Sequence, residues 1–246
     1  MANHTQALSF GAAAADYDRF RPRYPQVAVR WALDGLGDAA RVVDLGAGTG
    51  ILTRELLALG HDVTPVEPDP GMRAQLAVAT PGVEALPGGA EAIPLPDGAA
   101  DAVLVGQAYH WFDRERAHAE IARVLRTNGT FAPIWNTRDE RVEWVAELGR
   151  IAHMDSNATN LVESVTTFGP AFGDLELGEF TQRTALTVDE VVGMIRTRSY
   201  YLTADRSSQE AVDRELRDLL ATHPDLAGRE RVELPYRTLV FRARRR

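Results

Sequence analysis

The amino-acid sequence predicts an α/β protein built on a doubly wound, mostly parallel sheet. Short apolar runs at 41–45, 62–66 and 101–106 have the length of buried strands, and segments with apolar residues at helical spacing lie between them. A glycine-rich turn separates the first run from the helix-like segment that follows it. This alternation is typical of βαβ units, in which crossover helices join parallel strands.

The elements are predicted in a regular order up to residue 135. Helices are expected at 26–36, 50–59, 70–79 and 114–125, and strands at 41–45, 62–66, 83–86, 101–106 and 130–135. Gly37 would end the first helix, and Asn128 with Gly129 would end the fourth. The alternation then fails, and we expect helices at 139–164, 188–199 and 208–221 and strands at 175–186 and 231–243.

A chain of 246 residues is expected to form a single α/β domain with additions. We predict a core of residues 26–136, completed by C-terminal strands within 172–186 and 231–243. The segments 1–25, 137–171 and 187–230 are then candidates for a helical cap over the substrate.

Composition excludes several classes of function. Apolar residues make up 45% and charged residues 25%, as in an ordinary globular enzyme, and the formal net charge is −8. Nucleic acids and membranes are therefore poor partner candidates, and the basic C-terminus (Arg242, Arg244, Arg245 and Arg246) is expected to be a solvated tail. With no cysteine, the chain has neither disulfides nor thiolate metal sites, which is compatible with the cytoplasm.

The glycine turn carries the strongest chemical signal. Gly46, Gly48 and Gly50 stand at alternate positions after Asp44, which ends the first strand. Glycine is required where the backbone takes unusual torsions and approaches a ligand closely. A dinucleotide fingerprint needs G-x-G-x-x-G, and this spacing differs from it.

A second acidic residue, Glu67, ends the second predicted strand. In nucleotide-binding α/β units, an acidic side chain about 20 residues after the glycine turn accepts hydrogen bonds from the ribose hydroxyls. Residues 90–91 and 107–112 also lie at or just beyond strand ends. Because parallel strands present their carboxyl ends at one edge of the sheet, we expect these segments to form one crevice.

The D-x-G-x-G-x-G pattern resembles motif I of the class I S-adenosylmethionine (SAM) dependent methyltransferases. An N-terminal Y-x-x-x-R-P-x-Y-P (Tyr17 to Pro25), the G-A-E-A-I-P-L-P-D run from Gly89 and the Q-A-Y-H-W-F run from Gln107 resemble the branch labelled type 11, which includes enzymes similar to trans-aconitate methyltransferase. The resemblance implies a Rossmann-like, seven-stranded, mostly parallel sheet with an antiparallel last strand. The N-terminal arm and insertions in the C-terminal half would form a helical cap.

The same resemblance implies SAM as cofactor and S-adenosylhomocysteine (SAH) as its product. Gly46, Ala47 and Gly48 would pass under the methionine portion and ribose, Glu67 would hold the ribose hydroxyls, and Pro68, Ala90 and Glu91 would border the adenine. Asp44 would lie near the methionine ammonium and Gln107 near the transferable methyl. Tyr17 is a candidate to close over the cofactor, and Arg21 to bind a carboxylate of cofactor or substrate. For Arg21 the alternative is an ion pair that stabilises the turn.

His110 is the candidate general base, with a purely structural histidine as the alternative. Tyr109, Trp111, Arg198 and Tyr200 are candidate substrate-binding residues. The alternative role for Trp111 is packing in the core. The alternative for Arg198 and Tyr200 is that they belong to a helix end packed on the sheet. The remaining histidines show no metal-ligand spacing, so no metal is expected.

The predicted function is methyl transfer from SAM to an oxygen, nitrogen or carbon nucleophile of a small molecule, and the resemblance favours a carboxylate or a hydroxyl. The principal alternative is a SAM-binding enzyme of the same fold with a non-methylation reaction such as cyclisation. A nicotinamide-dependent oxidoreductase and a non-catalytic binding module are further alternatives.

Overall fold

The computed structural model describes Asp18 and residues 21–153, 162–196 and 199–246. The strands are β1 (Arg41–Leu45), β2 (Asp62–Val66), β3 (Ala100–Gly106), β4 (Leu125–Arg138), β5 (Glu176–Thr187) and β6 (Arg231–Arg244). The helices are α1 (Gln26–Ala32), α2 (Ile51–Ala58), α3 (Pro70–Ala79), α4 (Arg114–Val124), α5 (Glu143–Ile151), α6 (Val188–Arg196), α7 (Ser199–Thr203) and α8 (Arg206–Thr222). A short 3₁₀ turn spans Tyr109–Trp111.

Among the described residues, six strands form one mixed sheet in the order β2-β1-β3-β4-β6-β5. The first four strands in that order are parallel, and β6 runs antiparallel to both β4 and β5. The α/β Rossmann-like fold is therefore confirmed. The order reverses at β1, so β1 and β3 flank the point where a doubly wound sheet opens a ligand crevice.

The expected seventh strand is not present as a strand in the part of the chain described. The segment predicted at 83–86 contributes one isolated parallel bridge between Leu86 and Val66. Leu86 donates to the carbonyl of Pro65, and its own carbonyl accepts from Glu67. Pro87 follows directly and has no N–H, so the ladder cannot continue along that edge.

Strand β4 is longer than the predicted 130–135. Asn128 and Gly129, expected to end a helix, lie within the strand, where Asn128 has a φ of 60°. The pairing of β3 with β4 shifts register between Ala100 and Ala102. The two residues therefore mark an irregularity in the strand, which continues on both sides of them.

The four parallel strands are mainly buried on both faces, as expected for a parallel sheet with helices on each side. The edge strand β5 is largely exposed. Val42 belongs to the hydrophobic cluster under α1 and α2, and its neighbour Val43 belongs to the cluster under α4. A third cluster joins α5, α6 and α8 to the far ends of β5 and β6, through residues such as Leu216 and Leu234. This third cluster holds together the helices that follow the core.

The helices after β4 differ in extent from their predictions. The helix expected at 139–164 is α5, which ends at Ile151, and residues 154–161 lie outside the described part. The helix expected at 188–199 corresponds to α6 (Val188–Arg196) and the first residue of α7, and residues 197 and 198 lie outside the described part. No helix among the described residues is both long enough and apolar enough to cross a bilayer.

The basic C-terminus is not a solvated tail. The guanidinium of Arg242 lies 4.1 Å from the ring centroid of Trp31 and forms an ion pair with Glu176 at 2.8 Å. Arg242 is 9% exposed, because its position in β6 directs the side chain under α1. The charge run was wrongly interpreted because part of it belongs to the last strand, where alternate side chains face inward.

Candidate active site

The glycine turn lies where β1 meets α2, and its backbone has the torsions that only glycine adopts readily. Gly46, Gly48 and Gly50 have φ values of 73°, 56° and 82°. A Cβ on Gly46 would lie 2.8 Å from the Cβ of Ala108, whereas a Cβ on Gly48 would meet no atom within 4 Å. Gly46 is therefore needed for close packing, and Gly48 borders open space that a ligand can enter.

Glu67 lies against this turn from the end of β2. Its Oε2 accepts from the backbone N–H of Gly48 at 2.9 Å, and its Oε1 accepts from that of Asp69 at 2.8 Å. Burial raises the pKa of Glu67, and the two backbone N–H groups oppose that effect. Each carboxylate oxygen keeps a further lone pair, which suits the acceptance of hydroxyl hydrogens.

Asp44 is fully buried one residue before the end of β1. The hydroxyl of Thr53, in α2, donates to its Oδ2 at 2.6 Å. No described residue donates to Oδ1. Burial raises the pKa of Asp44 to about 7, and the nearby charge of Glu67 acts in the same direction. A buried acceptor without a donor is costly, and a ligand ammonium placed at Oδ1 would remove that cost.

The loop that was expected to border the adenine is held by backbone and side-chain contacts. Ala90 is buried, and the Oε1 of Glu91 accepts from the backbone N–H of Asp113 at 2.9 Å, just before α4. Pro68, on the other side of Glu67, is exposed. The structure thus brings the loop near the end of β2 through the Leu86 bridge.

Gln107 follows β3 in a left-handed conformation, with a φ of 59°. Its N–H donates to the carbonyl of Ile134 at 3.0 Å, and its side-chain Nε2 donates to the carbonyl of Asn136 at 2.8 Å. A non-glycine residue with positive φ is uncommon and clusters at functional sites. The conformation turns the chain sharply into the segment that carries His110.

Tyr109 does not lie on the surface of the crevice, which departs from the expected substrate contact. Its side chain has 0% exposure and packs among Phe112, Phe131, Trp135 and Phe168. Its hydroxyl is 2.7 Å from Nε2 of His118, and burial raises the pKa of Tyr109 to about 12. The residue fills the core beneath the crevice because the 3₁₀ turn directs it inward.

His110, the next residue, is exposed. Although part of the ring meets solvent, the surrounding protein removes some of its hydration and so lowers the pKa of His110. The positive charges of Arg21 and Arg114 lower this pKa further. The ring centroids of His110 and Trp111 are 4.7 Å apart. A depressed pKa keeps the imidazole neutral near pH 7, the form that can accept a proton.

The remaining predicted residues occupy different surroundings. Arg21 is half-buried, and its charge also lowers the pKa of Arg138. The ring centroids of Tyr200 and His153 are 5.6 Å apart. The interaction of Tyr200 with Arg138 acts to raise the pKa of that arginine. Tyr17 and Arg198 lie outside the described residues.

One contact at the glycine turn was not anticipated from the sequence. Oδ1 of Asp18 accepts from the Oγ1 of Thr49 at 2.8 Å and from a guanidinium nitrogen of Arg54 at 2.6 Å. Arg54 also donates to the carbonyl of Thr49 at 2.9 Å. The N-terminal arm is therefore tied directly to the turn. In the sequence, Asp18 occupies an unspecified position within Y-x-x-x-R-P, which carries no such signal.

Comparisons with known proteins identify the family. A family model described as a methyltransferase domain matches residues 43–132. An uncharacterized methyltransferase of Mycobacterium tuberculosis is 44% identical over 237 residues, which cover 96% of each chain. An uncharacterized methyltransferase-like protein of Schizosaccharomyces pombe is 32% identical over 249 residues, covering 98% of this chain and 97% of its own.

Solved structures show the same fold. A protein of Anaeromyxobacter dehalogenans, solved as a candidate type II methyltransferase, has a TM-score of 0.65 at 25% identity, covering 92% of this chain and 98% of its own. An N-methyltransferase of Haemonchus contortus, solved with phosphomonomethylethanolamine and SAH, has a TM-score of 0.56 at 14% identity, covering 96% and 57%. The glycine turn, the fixed Glu67 carboxylate and the buried Asp44 fit SAM, and the chain belongs to the class I SAM-dependent methyltransferases.

Proposed function

We propose that this enzyme methylates a small molecule, with the acceptor positioned at the end of β3 and the cofactor across the ends of β1 and β2. The observation that carries the proposal is that a hydrogen-bond acceptor for a ligand and a histidine lie at the same edge of the sheet. Gly48 and Glu67 form a ribose-type acceptor site, and the exposed His110 follows the strand next to β1. Ligands of doubly wound sheets bind at this edge.

Bound SAM supplies a methyl group already activated on sulfur, which passes to the acceptor and leaves SAH. The residues of this chain then have to bind, orient and exclude water, a contribution of roughly 7–11 kcal/mol in well-positioned reactions. We assign the ribose hydroxyls to Glu67, the ammonium to Asp44 Oδ1 and the adenine border to Pro68, Ala90 and Glu91. We place the backbone of Gly46 to Gly48 beneath the ligand. Gln107 is assigned to the transferable methyl, and Tyr17 is assigned to close over the cofactor.

His110 is proposed as the general base. Its lowered pKa favours the neutral ring, so its free nitrogen can take the proton from an oxygen or nitrogen acceptor as the new bond to carbon forms. The positive charges of Arg21 and Arg114 nearby support an acceptor that carries negative charge or develops it, such as a carboxylate or a hydroxyl. Trp111, Tyr200 and Arg198 remain proposed substrate contacts.

The test combines calorimetry with product analysis. SAM, SAH and NAD are titrated into the purified protein, and candidate acceptors are then screened for release of SAH. Binding of the adenosyl ligands without NAD, followed by SAH release and methylated product, supports the proposal. Turnover of SAM-bound enzyme to a product without SAH release would instead establish the alternative, a non-methylation reaction such as cyclisation.

The base assignment has its own test once an acceptor is found. The His110→Gln variant is expected to lose about 10²–10⁴-fold in kcat while its SAH affinity stays unchanged. His223→Gln, at the end of α8, is the matched control and should retain full turnover. An unchanged kcat in His110→Gln would remove the base role.

A further inference from the structure

A buried asparagine at the end of β4 joins three separate parts of the chain. Asn136 is 8% exposed, and its Nδ2 donates to the carbonyls of Pro22 at 3.3 Å and Arg23 at 3.1 Å. Its Oδ1 accepts from the hydroxyl of Thr238 at 2.6 Å and from Nε2 of Gln182 at 2.9 Å. The same Gln182 nitrogen lies 2.8 Å from the carbonyl of Arg23. Both ends of the Asn136 amide are therefore satisfied.

The backbone of Asn136 makes a further contact within the crevice. Its carbonyl accepts the side-chain amide of Gln107 at 2.8 Å. One residue thus holds the N-terminal arm through its side chain and the segment after β3 through its main chain. A side-chain substitution at Asn136 removes the first contact and leaves the second acceptor in place.

The arm has a second anchor at the opposite side of the crevice, where Asp18 accepts from Thr49 and Arg54 at the glycine turn. Since β3 lies between β1 and β4 in the sheet, the two anchors lie on either side of the carboxyl end of β3. Tyr24, just after the second anchor, lies at that end, because a Cβ on Gly106 would come within 2.7 Å of its hydroxyl oxygen. Arg21 lies between the two anchors, and its charge acts on His110, which follows β3. The described part of the arm, Asp18 and residues 21–25, therefore borders the same crevice as the glycine turn and His110.

We propose that Asn136 is a positioning residue that holds Pro22 and Arg23 beside the cofactor crevice, so that this described part of the arm retains the bound adenosyl ligand and keeps Arg21 beside His110. The inference rests on the proposed function, because it takes the crevice between the ends of β1 and β3 as the site of the reaction. It adds to that function a residue with no direct contact to the ligand, acting through the carbonyls of Pro22 and Arg23.

The decisive variant is Asn136→Asp, which matches the native side chain in size. An ionised carboxylate still accepts from Thr238 and Gln182, but it cannot donate to the two arm carbonyls and repels them. We expect the dissociation of SAH to accelerate about tenfold, and amide exchange in the peptide covering residues 18–24 to rise by a similar factor. Asn136→Ala, which lacks both donor and acceptor, should show the same effects.

Two readouts separate positioning from general damage. The carboxyl group of the Asn136→Asp variant regains a donor when it is protonated. Burial of this carboxyl raises its pKa, so the SAH affinity of this variant relative to wild type should recover as the pH is lowered, and that of Asn136→Ala should not. Freeing either anchor should release the arm, so the losses caused by Asp18→Ala and Asn136→Asp should not add in the double variant. Thr137→Val is the control, because Thr137 bonds the carbonyl of Arg237 on the opposite face of the same strand.

The outcomes distinguish this inference from the proposed function. If wild-type protein does not bind SAH, the proposed function fails. If wild type binds SAH and both Asn136 variants release it at the wild-type rate with unchanged exchange, the positioning role is overturned while the function stands. Additive losses, or an equal loss in Thr137→Val, would also overturn it, because they would indicate only a weakened strand.

Discussion

Oε2 of Glu67 accepts a hydrogen bond from the backbone N–H of Gly48 at 2.9 Å, so the end of β2 and the glycine turn after β1 form one unit. The bond joins the acidic strand end and the middle glycine of the motif. It fixes the carboxylate before any ligand arrives, which reduces the ordering cost of binding.

The first prediction concerns this carboxylate. Glu67→Gln places an amide N–H₂ against one of the two backbone N–H groups that the carboxylate now accepts, from Gly48 and Asp69. Loss of charge-assisted bonds of about 1.5–3 kcal/mol should weaken SAH binding roughly 10–100-fold by calorimetry. Glu84→Gln, on an exposed loop, is the control. Equal SAH affinity in the two variants would contradict the ribose assignment.

The second prediction uses two glycines in matched conformations. Gly48 and Gly37 have φ values of 56° and 75°, and a Cβ at either would meet no atom within 4 Å. Alanine at each position should cost about 1–2 kcal/mol of backbone strain. The decrease in Tm should therefore be similar in Gly48→Ala and Gly37→Ala. Only Gly48→Ala should also weaken SAH binding, because its methyl group enters the crevice. Wild-type SAH affinity in Gly48→Ala would mean that the ligand does not pass this turn.

The third prediction concerns pH and stability. Asp44 has a folded pKa of about 7, above its ordinary value of 3.8, so the folded protein holds a proton that the unfolded chain has lost between those values. This group therefore destabilises the ligand-free enzyme progressively as pH rises from about 4 to about 7. Asp44→Asn removes the charge, so its Tm relative to wild type should be higher at pH 8 than at pH 5.

The Asp44→Asn variant should also bind SAH more weakly, because the neutral amide cannot form an ion pair with the ligand ammonium. Wild-type binding below pH 7 should release a proton as Asp44 ionises against that ammonium, a quantity measured by calorimetry in buffers of different ionisation enthalpy. A pH-independent difference in Tm between Asp44→Asn and wild type would contradict the assignment of the raised pKa to this carboxyl.

The fourth prediction tests the core placement of Tyr109. Tyr109→Phe removes the contact with His118 and leaves a half-buried ring nitrogen without that partner, at a cost of about 1 kcal/mol in the free energy of unfolding. SAH affinity should not change. Tyr201→Phe, whose hydroxyl bonds Asp213 near the surface at 3.1 Å, should cost less. A loss of turnover without a loss of stability in Tyr109→Phe would return this residue to the substrate site.

The parts of the site that were predictable lie close together in the chain. Asp44, the glycine turn and Glu67 belong to one strand–turn–helix–strand unit, and the positive φ values of the glycines confirm why those residues are needed there. Asp69 caps the N-terminus of α3 within the same unit, because its Oδ1 accepts from the backbone N–H of Met72 at 2.9 Å. Such signals are local, and side-chain type with spacing is enough to read them.

Other features depended on contacts between distant residues. Thr53 reaches Asp44 only because α2 packs over β1, and Asp18 reaches Thr49 only because the arm returns to the turn. Neighbours in sequence were also separated: Tyr109 enters the aromatic core while His110 stays exposed. Periodicity cannot resolve a single 3₁₀ turn, where one residue changes the direction of each side chain.

The sequence by itself determined the fold class, the family and the strand ends that carry the proposed cofactor residues, because a glycine turn and apolar periodicity express local backbone requirements. Tertiary structure alone decided that the place expected for a seventh strand holds one bridge, that Arg242 is buried against Trp31, and that Asn136 holds the arm 113 positions away at Arg23. These depend on packing and hydrogen bonding between segments far apart in the chain, and such pairings leave no mark in the spacing of residues along it.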